Sequence, residues 1–224
     1  MRSRRTWSCR KVIARCGLAL FATLFALLPP RASADGLATY RVLIVTPELS
    51  DGRFAATREA MDFWNRTLSD LKLRPRLAET AVLVAPPITR RLEAYTRQIW
   101  LLAGRSVPEG SAPVPPRELL DLDADVIVFF SRQVIFSFAW PVANRTRYFI
   151  GVQTNTEPPM SYPNVPRNVI AHELGHVLGL VHNGNTATLM CGPCQHSVYR
   201  SDDLVFLPLT ARERGRLVSL HEPE

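Results

Sequence analysis

Residues 172–182 read His-Glu-Leu-Gly-His-Val-Leu-Gly-Leu-Val-His. Positions i and i+4 of an α-helix lie one turn apart on the same face, so His172 and His176 can aim both imidazoles at one point. Glu173 leaves the same turn and can reach a water held there without ligating the metal itself. Gly179 can adopt positive φ, which lets the helix stop and the chain turn back so that His182 arrives as a third ligand. Three neutral imidazoles suit zinc and leave its fourth tetrahedral position open, the arrangement of a catalytic rather than a structural site. The spacing therefore predicts one catalytic Zn2+ on His172, His176 and His182, with Glu173 as general base. Val169, Ile170, Leu174, Val177, Leu178 and Leu180 would serve any buried helix, but three histidines and a glutamate are poor core residues unless each has a partner.

With Met190 added, the segment resembles the signature of the metzincin metallopeptidases. That signature is His-Glu-x-x-His-x-x-Gly-x-x-His followed by a methionine in a tight turn beneath the metal. Met190 stands eight residues after His182. By the resemblance it supports the ligand cage without binding zinc. The resemblance implies a zinc-dependent endopeptidase acting on a peptide or protein substrate. It also implies an α+β single domain: a twisted, mixed, mostly parallel sheet, a long active-site helix and a C-terminal helix. The strand-helix beginning and Leu189-Met190 look most like the matrixin branch, from which the chain departs at several positions. Asn183 stands where matrixins carry serine, and Cys191 where their turn carries an aromatic residue. No cysteine lies between the leader and Met190 to act as a cysteine switch, and no histidine lies between residues 35 and 172 to build a second, structural zinc site. Gly192 occupies the position of the extra tyrosine ligand of astacins and serralysins, and Tyr199 is too far along to replace it. Two other functions fit the same ligands: a zinc-stabilised module that binds peptides without turnover, and a zinc amidase acting on a non-peptide amide.

Several elements must position these residues. Tyr40 to Thr46 is apolar, β-branched and closed by Pro47, a strand. Ala56, Ala60, Phe63, Trp64 and Leu68 recur at helical spacing. Leu77 to Ala85 reads as a second strand, and Leu92, Tyr95, Ile99 and Leu102 share a helix face. The proline-rich 106–116 segment is a loop. The run Asp125 to Phe130 reads as a central strand buried on both faces. A turn at Ala143-Asn144 precedes a strand from Tyr148 to Gln153. Prolines 158, 159, 163 and 166 mark an irregular approach to the active-site helix, expected from about Arg167. Thr210 as N-cap, with Glu213 at the capping-box position, opens a final helix from Ala211 to Leu220.

The first 34 residues are a basic stretch, an apolar run from Cys16 to Leu28 and Ala32-Ser33-Ala34, the pattern of a cleaved secretory signal. The expected organisation is a signal peptide over 1–34 and a zinc metallopeptidase domain over 35–224, in a secreted or periplasmic protein with no stable membrane span after cleavage. Seven of the 27 basic residues and no acidic ones lie in the leader, leaving 20 of each sign. The high pI therefore belongs to the leader, and nucleic acid is excluded as an expected partner. Oligomeric state is not legible from the sequence. Cys191 and Cys194 are the cysteines outside the leader, and an oxidising compartment favours a disulfide between them. A redox-active pair is the rival reading of Cys-Gly-Pro-Cys, and a free Cys191 thiolate would be a strong zinc ligand. Asp202-Asp203 could contribute to a structural calcium site, though exposed loop acids suffice to explain the pair. His196 and His221 read as surface residues.

Overall fold

The computed structural model describes residues 39–102, 112–142, 146–192, 194 and 205–223. Residues 1–34, expected to be a leader, the 106–111 part of the expected proline-rich loop, the expected Ala143-Asn144 turn, His196, Tyr199, Asp202 and Asp203 lie outside the described residues. In chain order the elements are β1 (Thr39–Thr46), α1 (Gly52–Asp70), β2 (Arg76–Val84), α2 (Thr89–Leu102) and α3 (Arg117–Leu120), followed by β3 (Val126–Phe130), β4 (Phe138–Val142), β5 (Arg147–Val152), α4 (Asn164–Val177) and α5 (Ala211–Leu220). The strands form one sheet in the order β2-β1-β3-β5-β4. The first four are parallel, and β4 runs antiparallel to β5 at the edge. This is the α+β, mixed and mostly parallel sheet expected from the sequence.

Side chains alternate across a strand with period two, and β1, β3 and β5 use both faces. Val42, Ile44, Val126, Val128, Phe130, Ile150 and Val152 pack on one side with Trp64 and Leu68 of α1 and Ile170 and Leu174 of α4. Leu43, Val45, Ile127, Phe129 and Phe149 pack on the other with Leu92, Tyr95 and Ile99 of α2. The continuous apolar run of β3 follows from this two-sided burial: all five of its residues are buried.

Two elements were not expected from the sequence, and a third begins earlier than expected. The strand β4 carries Pro141 as the fourth of its five residues, which a strand buried within a sheet would not tolerate. At an edge the missing N–H costs no ladder bond if it faces outward. The four-residue α3 is too short for periodicity to show. The helix α4 begins at Asn164 rather than near Arg167. Pro166 falls in its first turn, where the backbone N–H has no intrahelical partner and proline is tolerated.

Two buried polar devices fix α1 to the sheet and to α4. Arg53, ion-paired with Asp51 at 2.6 Å, donates to the carbonyls of Ser131 and Gln153 at 2.7 and 2.8 Å, pinning the chain just beyond β3 and β5. The Trp64 Nε1–H donates to the Ala171 carbonyl at 2.8 Å, holding α4 one residue before His172.

Candidate metal centre

His172 and His176 project from the last two turns of α4, which ends in a Schellman motif. The Leu180 N–H bonds the Gly175 carbonyl at 2.9 Å and the Gly179 N–H bonds the His176 carbonyl at 3.0 Å. Gly179 sits at φ 88°, the conformation expected of it. The chain then reverses and delivers His182. The three Nε2 atoms stand 3.1 Å from one another in every pair.

The outer ring nitrogens decide what those inner ones can do. His172 Nδ1 lies 2.7 Å from the Leu189 carbonyl and His176 Nδ1 lies 3.0 Å from the Leu180 carbonyl. A carbonyl oxygen can only accept, so each Nδ1 carries the hydrogen and each Nε2 presents a bare lone pair. Burial lowers His172 to about 4, against the Leu189 bond and assisted by His182. Burial, then the neighbouring His172 and His182, lowers His176 to about 3. Burial lowers His182 as well. The bare Nε2 lone pairs of His172 and His176, converging with the Nε2 of His182, form a donor set that fits a cation. Nitrogens around a tetrahedral zinc at ~2.0–2.1 Å would stand about 3.3 Å apart, close to the spacing here.

Glu173 is buried beside His172, and burial raises its carboxyl to about 8, opposed by a hydrogen bond from the Ala139 backbone of β4. A divalent cation nearby would favour the carboxylate. The Glu173 carboxyl thus lies between the helix that carries two imidazoles and the edge strand β4.

Met190 is fully buried, with its side chain against Gly175 of α4. A Cβ on Gly175 would lie 2.5 Å from Met190 Sδ and 3.1 Å from Trp64 Cζ2, so the second variable position of His-Glu-x-x-His is glycine for a packing reason. Gly192 is similarly constrained, because a Cβ there would lie 2.7–2.9 Å from atoms of the His182 side chain. Cys191 and Cys194 form the disulfide favoured by the sequence.

The contributions of Asn183, Arg216 and His221 were not legible in the sequence. The Asn183 N–H donates to the Met190 carbonyl at 2.8 Å, and its own carbonyl accepts from the Gly192 N–H at 2.9 Å. Its side-chain amide donates to Thr188 Oγ1 at 2.9 Å and to Glu213 Oε1 at 2.5 Å. Glu213 also completes the capping box of α5 by accepting from the Thr210 N–H at 2.7 Å. Arg216 Nε donates to the Gly179 carbonyl at 2.7 Å. His221, expected at the surface, is instead half-buried with Nε2 at 3.0 Å from the Leu178 carbonyl, which can only accept. The carbonyls of Leu178 and Gly179, in the turn that follows α4, thus find donors on Arg216 of α5 and on His221 just beyond it, 37 and 43 residues along the chain.

The chain matches no protein-family model and no curated protein. Among solved structures it is similar to metalloproteinase-II from Bacteroides fragilis, with TM-score 0.45 and 15% identity over 87% of this chain and 57% of that one. It is similar to archaemetzincin from Methanopyrus kandleri, with TM-score 0.44 and 16% identity over 80% of this chain and 93% of that one. A chain in a chaperone–substrate complex gives TM-score 0.43 and 17% identity over 73% of this chain and 29% of its own length. The chain therefore spans 29% and 57% of two of these relatives.

Proposed function

We propose that this chain is an exported zinc-dependent endopeptidase in which His172, His176 and His182 hold one Zn2+ and Glu173 is the general base, residues 1–34 being its signal peptide and 35–224 its catalytic domain. The observation that carries this reading is the triangle of Nε2 atoms at 3.1 Å with Glu173 on the same helix. Bound there, zinc would supply the Lewis acidity that makes water nucleophilic near neutral pH and polarises a carbonyl. Glu173 takes the proton from the attacking water and returns it to the departing amine. The Ala139 N–H orients that carboxylate. Met190 and the Schellman turn at Gly179 hold the ligands in place.

A peptide is the favoured substrate because β4, one of the two edge strands of the sheet, lies against Glu173. An edge strand offers backbone groups to an extended chain, and a strand added there would pass the general base.

The test is cleavage of a peptide library, read by mass spectrometry, for the purified chain beside a Glu173→Ala variant. The expected result is cleavage by the unmodified chain alone, with zinc bound to both and the variant slower by at least about 10²–10⁴-fold. Zinc lost together with activity in the variant would make Glu173 a ligand or a structural residue. Zinc bound to both with no cleavage by either would make the chain a binding module or an amidase for another substrate.

A further inference from the structure

The disulfide closes directly against the metal centre. The two sulfurs of Cys191 and Cys194 and a ring nitrogen of His172 all lie within 4.8 Å of one another. His172 is thereby common to two donor sets, one of three imidazoles and one of an imidazole and two sulfurs. Backbone bonds place them so: the Leu189 carbonyl holds His172 Nδ1, and the Asn183 N–H holds the Met190 carbonyl, one residue before Cys191. The staple spans a separation of only three residues. Chain-entropy stabilisation by a cross-link grows with loop length, so this bond is among those that gain least from it.

Resting on the zinc reading above, we propose that the Cys191–Cys194 pair, when reduced, forms with His172 a second site for thiophilic cations such as Zn2+ or Cu+, which competes with the imidazole triad for their shared histidine. Thiolates are strong ligands for these ions. A cation drawn to the sulfur set takes His172 from the triad and leaves His176 and His182 as an incomplete pair. The disulfide is the closed form of this second site and leaves the imidazole triad as the sole ligand set of the centre.

Opening the site requires a dithiol reductant. Its thiolate attacks Sγ of Cys194, which is half-buried, whereas Cys191 is only 1% exposed. Cys191 leaves as the thiolate, and the second thiol of the reductant displaces Cys194 from the mixed disulfide. Two electrons and two protons pass to the protein, and the reductant departs as its own disulfide. Metal binding then releases the thiol protons to solvent. In a reducing compartment the competing site is open, and in an oxidising one it is shut.

Cobalt titration of the purified chain tests this, comparing the disulfide form with protein reduced by a dithiol that is removed anaerobically before metal is added. Visible d–d absorption reports cobalt in either donor set, whereas near-ultraviolet sulfur-to-cobalt charge transfer reports thiolate ligation alone. The expected result is d–d absorption without charge transfer in the disulfide form, and charge transfer appearing on reduction, with cleavage lost and then restored by reoxidation. In a Cys191→Ser/Cys194→Ser double variant the charge-transfer band is absent and the spectrum no longer responds to reductant. Reduced protein that binds cobalt without charge transfer overturns the second site and leaves the zinc reading standing. A disulfide form that binds no cobalt overturns the zinc reading itself. The comparison of the two forms needs no substitution, so a poorly folding double variant does not leave the proposal open.

Discussion

The two halves of the candidate metal centre are held by different kinds of interaction. His172 and His176 ride on α4, whose placement comes from apolar burial against the sheet and α1 and from one indole bond, Trp64 to Ala171. His182 stands beyond the end of that helix on a segment with no regular structure. Its position comes from polar bonds to Met190, Gly192, Thr188 and Glu213 that all run through the next residue, Asn183. A helix repeats its geometry every turn, so two ligands can be aimed by spacing alone. A reversed loop has no such repeat and must be tied at several points.

The most effective way to break this asymmetry is to cut the ties of the loop half. Asn183→Ala removes the side-chain link to Thr188 and leaves the Glu213 carboxylate short of one donor. It is expected to weaken zinc affinity about 10–100-fold, measured against a chromophoric chelator, with the helical circular dichroism unchanged. Unaltered affinity would mean that the backbone bonds of Asn183 are enough to hold His182.

A smaller effect is expected from crowding the helix half. Gly175→Ala places a methyl against Met190 Sδ and Trp64, and the flexible thioether can yield part of the space. The expected loss is about 1 kcal/mol of folding stability, read from urea unfolding of the metal-free protein, with zinc affinity changed less than in Asn183→Ala. A larger loss of affinity than of stability would show that Met190 positions the ligands more strongly than the loop ties do.

The smallest expected effect lies away from the site and sharpens the contrast by serving as its control. Burial pushes the carboxyl of Asp125 up, but hydrogen bonds from the Arg41 side chain and backbone, with the charges of Arg41 and Arg147, hold it below its ordinary value. A carboxylate depressed in the folded state stabilises the fold above its unfolded pKa of about 3.9. That contribution is lost as pH falls through the lower folded value. The urea midpoint of the wild-type chain should therefore fall more steeply below about pH 4 than that of Asp125→Asn, while zinc affinity near neutral pH is the same in both. Parallel acid limbs would remove Asp125 from the account of stability.

The elements that were legible are those whose pattern is local. The apolar, β-branched run of β1, the helical spacing of Ala56, Ala60, Trp64 and Leu68, and the Thr210–Glu213 capping box all appear where the sequence placed them. What escaped has a common physical cause. The role of β4 as an edge strand depends on which strand lies beside it, and Pro141 hides it from any pattern of alternation. His221 looks like a surface histidine until α5 is laid beside the end of α4. Gly175 and Gly192 look like unremarkable glycines until Met190 and His182 arrive against them.

By itself the sequence determined the ligand types, the i,i+4 spacing that puts two of them on one helix face, the glycine that can turn the chain back, and the pair of cysteines. Each of these follows from the backbone geometry of a few consecutive residues. Only the tertiary structure decided that the three Nε2 atoms meet, that Glu173 lies against β4, that Arg216 and His221 satisfy the carbonyls of the turn after α4, and that both sulfurs stand beside His172. Those outcomes depend on contacts between residues far apart in the chain, whose distances are set by how helices and strands pack and by which buried polar groups must find partners.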